Sequence, residues 1–259
     1  MSMLDATIAL TEREWTRLMR QPARIVATIG TPMIFLVALG AGFAGSMSGL
    51  MGVDDGRAYA AFLLPGMISM AALFASIFGA ISLIEDRQGG FLVAILAGQA
   101  PKGSVVAAKT IGVGGPACAQ ACVMLLAIWP LGLHVSLLGL LGAILGVVLL
   151  TIGVVGFSLA LAWRTASTQE FHAIMNTVLM PMWLVSGGFY PAAEAAAPMR
   201  WLTIINPLTW PTEAIRASLA GDPSPLLGGW AWPLSIVFAI AGVSLAATII
   251  KTPGRKASA

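Results

Sequence analysis

The reactive side chains of this 259-residue sequence are few: two cysteines, two histidines, 14 basic and 11 acidic residues. Cys118 and Cys122 stand four apart and share one face of a helix. Too few other ligands lie near them for a tetrahedral metal site, so no metal is expected and small packing residues are the expected role. His134 and His172 can titrate, but each borders an apolar run and reads as a polar interface residue. The stretch Gly98-Gln99-Ala100-Pro101-Lys102-Gly103-Ser104 is glycine-rich, yet it has the wrong spacing for a phosphate loop and no strand before it. No His-Glu-x-x-His occurs either. No catalytic residue is therefore expected, and the chain is not expected to bind nucleotide itself. Two charged groups remain. Glu85-Asp86-Arg87, ahead of Gly89 and Gly90, reads either as a solvated charge cluster before the third span or as the start of a segment whose apolar residues 91–97 meet a cytoplasmic partner. Glu213 and Arg216, three apart, can pair on one helical face, with structural neutralisation the expected role.

The elements that position these groups follow from composition. Hydrophobic residues make up 58% and charged residues 10% of the chain, where a soluble domain carries roughly 25% charged. That excludes a disordered chain and leaves too little polar surface for a soluble one. Two cysteines exclude a disulfide scaffold. A polytopic all-α membrane protein remains, since a span needs about 20 apolar residues. Uncharged gaps set six spans near 25–45, 60–84, 108–131, 135–162, 171–190 and 229–250, the third and fourth divided at the turn-like Trp129–His134. Strand-type alternation is absent, which weighs against a β-barrel. About 24 residues precede the first apolar run, and the run is too long for a secretory signal.

Six spans put both termini on one side. Eleven basic residues fall there, including Arg13, Arg17, Arg20, Arg24, Arg87, Lys102 and Lys109, against three on the other. The positive-inside rule then places both termini in the cytoplasm. Tryptophans at span ends fit an interfacial belt. The pI near 9.2 follows from this topology and calls for no nucleic-acid partner.

Three segments are not simple spans. In residues 3–21 Leu4, Ile8, Thr11, Trp15, Leu18 and Met19 share one helical face, with Arg13, Arg17 and Arg20 opposite. That pattern predicts an amphipathic helix over 1–24 at the cytoplasmic interface. The loop 85–103 is long for a bundle and holds a short apolar helix at 91–97. The outer segment 191–228 is proline-rich, and its Asn206, Glu213 and Arg216 oppose a full crossing, since a mid-bilayer charge costs about 2.5–3.5 kcal/mol. Two short helices that dip in and return are expected. Asn176 and Gln120 are the notable polar groups inside spans, and Pro181 is among the prolines expected to kink them.

Two stretches carry a family resemblance. Ser186-Gly187-Gly188-Phe189-Tyr190-Pro191 runs on to Pro198, Trp201, Asn206-Pro207-Leu208-Thr209-Trp210, Glu213, Arg216 and Gly221. Glu85-x-Arg87-x-Gly89 is followed by Leu96, Pro101 and Lys109. Together they resemble the ABC-2 type permeases, the membrane subunits of ABC exporters, over nearly the whole chain. The pattern departs at Ala97-Gly98-Gln99-Ala100, where the family commonly has a bulkier turn. The resemblance implies a dimer with a second permease subunit, identical or homologous, in contact with membrane lipid. It implies two separate ABC ATPase subunits that bind ATP and Mg, while this chain carries no cofactor. It places the coupling contact at Arg13, Arg17, Glu85, Asp86, Arg87, Gly89, Gly90, Pro101 and Lys102. It places the path at Met67, Phe74, Phe78, Met175, Asn176, Met180 and Trp183, and an outer gate at Gly187, Phe189, Tyr190, Asn206, Pro207, Glu213 and Arg216. It implies a bacterial inner membrane and an amphipathic, lipid-like, drug-like or glycan cargo. Two other classes remain open: an ATP-independent carrier or scramblase, and a scaffold of a membrane assembly. The missing intramembrane carboxylates weigh against ion coupling.

Overall fold

The computed structural model describes residues 3–46, 57–91 and 102–250. Among them there is no strand, only one bridge between Ser224 and Gly228. Helix α1 (Met3–Met19) leads through the turn at Arg20 and Gln21 into α2 (Pro22–Gly42). Pro22 opens α2, where its missing N–H costs nothing. Then come α3 (Ala58–Gln88), α4 (Lys102–Val123) with a 3₁₀ turn at Met124–Ile128, and α5 (Leu137–Arg164). Helix α6, residues 168–184, has three parts: Thr168–Ile174, a π-turn at Met175–Leu179, and Met180–Leu184. The short α7 (Ala197–Ile205) and α8 (Thr209–Ala220) precede α9 (Ala231–Ile250).

Among the described residues, five helices are long and apolar enough to cross a membrane: α2, α3, α4 with its 3₁₀ turn, α5 and α9. Polar caps mark where helices begin. Ser136 accepts the Gly139 N–H at 3.0 Å to start α5. Ser167 accepts the Glu170 N–H at 3.1 Å to start α6, while Glu170 accepts the Ala166 N–H at 2.6 Å. The π-turn precedes Pro181, which has no N–H to give the Thr177 carbonyl, so the ladder shifts there.

Three boundaries differ from expectation. Helix α3 runs through Glu85, Asp86 and Arg87 to Gln88, so the charged cluster is a helical turn and not a loop. Two glycines stop it: Gly89 N–H bonds Glu85 O at 2.8 Å, and Gly90 takes φ +74°. Helix α6 stops at Leu184 and not at 190, because Val185–Gly187 turn away with Gly187 at φ +76°. Lys102 opens α4. The expected helix at 91–97 lies outside the described residues except for Phe91, as do Pro101 and the tail at 251–259.

The core is built around α3. In its most apolar stretch 89% of residues are buried, and Leu63, Leu64, Met67 and Ile68 are wholly enclosed. Helices α2, α4, α5 and α8 pack around it. Close approach is possible where α3 meets the turn after α6: a Cβ on Gly66 would sit 2.6 Å from the Gly188 backbone. The outer faces of α2, α5 and α9 stay open and carry bulky apolar residues, among them Ile34 and Val37, Leu138 and Leu141, and Ile236 and Ile240. Such faces suit lipid tails.

Candidate functional site

At the inner end of α3, three helices are tied by ions. Asp86 is buried and accepts two hydrogen bonds from Arg13 of α1, at 3.1 and 2.8 Å, and one from Arg17 at 3.3 Å. Lys109 of α4, equally buried, lies 2.5 Å from Asp86 and 2.7 Å from Glu14 of α1. Ser82 donates to Glu14 at 2.9 Å and accepts from Lys109 at 3.1 Å. Arg17 also pairs with Glu85, whose side chain is 47% exposed. Three cations thus meet three carboxylates. Asp86 holds the Arg13 guanidinium above its ordinary pKa, against the lowering effect of burial. Arg13 also lies 3.8 Å over the Phe91 ring.

These contacts also orient α1 and the end of α5. Arg13 and Arg17 bind α3 while staying partly open to solvent. The apolar stripe of Leu4, Ile8, Trp15 and Met19 is the exposed one, while Glu14 and Leu18 face the bundle. Gly112 lets α1 come close, since a Cβ there would meet Glu14 Cβ at 3.0 Å. Arg87 is spent within the chain: it donates to the Trp163 carbonyl at 2.8 Å and to the Thr165 carbonyl, capping the end of α5.

At the outer end a second set of contacts holds α3, α8 and the 185–190 turn. Arg216 donates to Glu213 at 2.9 Å, to the Phe62 carbonyl at 2.6 Å and to the Gly187 carbonyl at 2.9 Å, and lies 4.0 Å over the Phe62 ring. Ser224 donates to the other Glu213 oxygen at 2.6 Å. Asn206 closes α7: its amide donates to the Met182 carbonyl at 2.5 Å and its oxygen accepts Leu208 N–H at 3.1 Å, with Pro207 between. The Tyr190 hydroxyl meets Thr203 at 2.8 Å. Trp183 donates to the Gly66 carbonyl at 3.0 Å and meets Phe189 edge-on, while Tyr59 donates to the Phe189 carbonyl at 3.1 Å. The residues expected at the outer gate therefore lie together in one connected set.

The residues expected along a path separate into two kinds. Met67 and Trp183 are enclosed by the chain's own helices and line no surface of the single chain. Phe74 and Phe78 are partly exposed on α3, and Met175 and Met180 on α6, where Asn176 is exposed. Sequence reasoning missed Glu14, Ser82 and the central role of Lys109. A signal was present, because a lysine seven residues inside an apolar helix needs a counter-charge.

The apolar helices and their packing define a multi-pass membrane protein. Residues 5–220 match the ABC-2 type transporter family, and the chain belongs to it as a transport permease of the membrane. It is 28% identical over 209 residues to "Nodulation protein J" of Rhizobium leguminosarum bv. viciae, covering 78% of this chain and 76% of that one. It is 27% identical to "Nodulation protein J" of Rhizobium meliloti (strain 1021), covering 78% and 76%. It is also similar to the "Putative transport permease ycf38" of Cyanophora paradoxa, at 25% identity over 82% of this chain and 73% of that one.

Proposed function

We propose that the chain is one half of the membrane part of an ABC exporter. A second copy or a homologue completes the path, and two separate ATPase subunits on the cytoplasmic side bind ATP and Mg. In this reading α6 crosses as the sixth span beside the five long helices. Both termini lie in the cytoplasm, α1 lies along the inner face, and α7 with α8 forms an outer re-entrant pair. The chain sits in a bacterial inner membrane and moves an amphipathic cargo of lipid, drug or glycan type.

The ion knot at Asp86 is the observation that carries this reading. It joins α1 and α4 to the last turn of α3, so a push on 85–91 is delivered to the helix at the centre of the core. A second surface supports the path. Gln169, Ala173, Asn176, Thr177, Pro181 and Leu184 form an exposed stripe along α6. Neither Asn176 nor Thr177 bonds through its side chain to another described residue. Polar groups at membrane depth require protein or water beside them. At mid-span the open side of α5 carries no such group, and α2 and α9 show only the small hydroxyls of Thr31 and Ser244; the amide of Asn176 beside Thr177 therefore sets the α6 stripe against the second subunit and the path, with Met175, Met180, Phe74 and Phe78 at its flanks.

Glu85 gives the test, since half of its carboxylate stays open beside Arg17. A P-loop ATPase from a neighbouring reading frame is expected to copurify with the wild-type chain in detergent. Glu85→Gln should lower its retention roughly ten-fold, while the permease itself loses no more than about 1 kcal/mol of stability, since Glu85 is half-exposed and its pair with Arg17 is a surface one. Undiminished retention would sink the docking assignment.

A further inference from the structure

The knot neutralises itself: Arg13, Arg17 and Lys109 answer Glu14, Glu85 and Asp86. Two further arginines beside it carry surplus charge. Arg20, in the turn between α1 and α2, is exposed and has no side-chain partner among the described residues. Arg24, in the first turn of α2, donates to Gln21 Oε1 at 3.3 Å and lies 5.6 Å over the Phe78 ring, with no carboxylate paired to it among the described residues.

Here the surface opens into a groove of about 540 Å³ lined by Arg13, Thr16, Arg17, Arg20 and Gln21. The adjoining face of α1 is the exposed apolar stripe ending in Trp15 and Met19, and α2 begins with Val26 at 68% exposure. A basic groove is therefore flanked by apolar surface that leads into a span. One class of ligand has both characters: an acceptor-only anion bonded to hydrocarbon. A guanidinium presents forked donors that match phosphate oxygens, and a juxtamembrane basic residue is attracted to an anionic leaflet.

We propose that this groove binds the phosphate headgroup of an anionic phospholipid of the inner leaflet, with Arg20, unpaired among the described residues, as the cation it meets. The acyl chains lie on the apolar faces of α1 and α2. The proposal rests on the cytoplasmic placement of α1 given above. An acidic protein surface would also meet the arginines, but it would leave Leu4, Ile8, Trp15 and Met19 uncovered. A free phosphate would leave them uncovered as well.

The test uses the full chain in mixed micelles of phosphatidylglycerol and phosphatidylcholine, with bound lipids counted by native mass spectrometry. The wild type should retain phosphatidylglycerol preferentially. Arg20→Gln should lower that retention about five-fold and leave phosphatidylcholine unchanged, while Arg20→Lys keeps most of it. Arg200→Gln, the same charge loss at the outer side, should change nothing. Equal phosphatidylglycerol retention by wild type and Arg20→Gln overturns the proposal. So does displacement of the lipid by millimolar inorganic phosphate, which assigns the groove to a soluble anion. Loss of ATPase copurification by Arg20→Gln with lipid retention intact overturns it in favour of a protein partner. Labelling of the N-terminus in right-side-out vesicles tests the placement separately. An external N-terminus would sink that placement and leave the micelle result standing.

Discussion

The two ends of α3 are fastened by different chemistry. At the inner end, Asp86 serves Arg13, Arg17 and Lys109 at once, and every cation comes from another helix. At the outer end the ion pair seen among the described residues is Glu213–Arg216, within a single helix, and the remaining donors of Arg216 go to backbone carbonyls. Tyr59, Trp183 and Asn206 likewise bond carbonyls there. Carbonyls are fixed by the fold, so the outer set holds one geometry. Long charged side chains can exchange partners, and α1 meets the bundle on one face only. The inner end is thus the one that can be levered, and the outer end the one that resists.

The largest expected effect breaks the inner end. Asp86→Asn leaves the buried Lys109 with Glu14 alone and takes the half-exposed Arg13 off its main partner, and breaking a buried pair costs about 3–5 kcal/mol. Thermal unfolding of the purified chain in detergent should show a fall of that size, with no single second substitution restoring it. Arg216→Met should come next, at about 3 kcal/mol, because Glu213 and two carbonyls lose their donor. Here a partner change should help: Glu213→Gln with Arg216→Met should recover much of the loss in the same assay, since only one pair is involved. If the Asp86 loss is as easily rescued, the two ends are alike after all. The smallest effect should be Tyr190→Phe, which removes one hydroxyl contact with Thr203 worth about 1 kcal/mol. Its unfolding midpoint should shift only slightly.

Much of this was legible in the charges. Gaps between them marked the long helices, because an unpaired charge is expelled from an apolar crossing. The pairing of Glu213 with Arg216 was legible too, since both lie on one helix at a fixed interval. What helical periodicity could not supply is which neighbour meets a face. Periodicity gives Arg13 and Arg17 only as the basic side of an interface helix, because their partners sit 73 and 68 or more residues away. Lys109 read as an orienting charge for the same reason. The extension of α3 to Gln88 could have been read from Gly89-Gly90, the first stop signal after Ile84. The π-turn of α6 had Pro181 as its only trace. Trp183 looked free to line a path, yet its indole N–H is taken by the Gly66 carbonyl, a contact set by two glycines meeting far apart in sequence.

The composition of α6 bears on how the chain is inserted during synthesis. With Asn176, Thr177 and Pro181 in a 17-residue helix, it is a poor stop signal for the translocon by itself. Among the five long helices described, the preceding α5 holds the most apolar 18-residue stretch, at mean hydropathy 2.7, and only residues 165–167 separate it from α6. In the six-span arrangement α6 therefore enters as the second arm of a hairpin whose first arm supplies the partitioning energy. A chain terminated after residue 190 should keep α6 in the bilayer with α5 ahead of it and lose it to the aqueous phase when α5 is replaced by a polar linker.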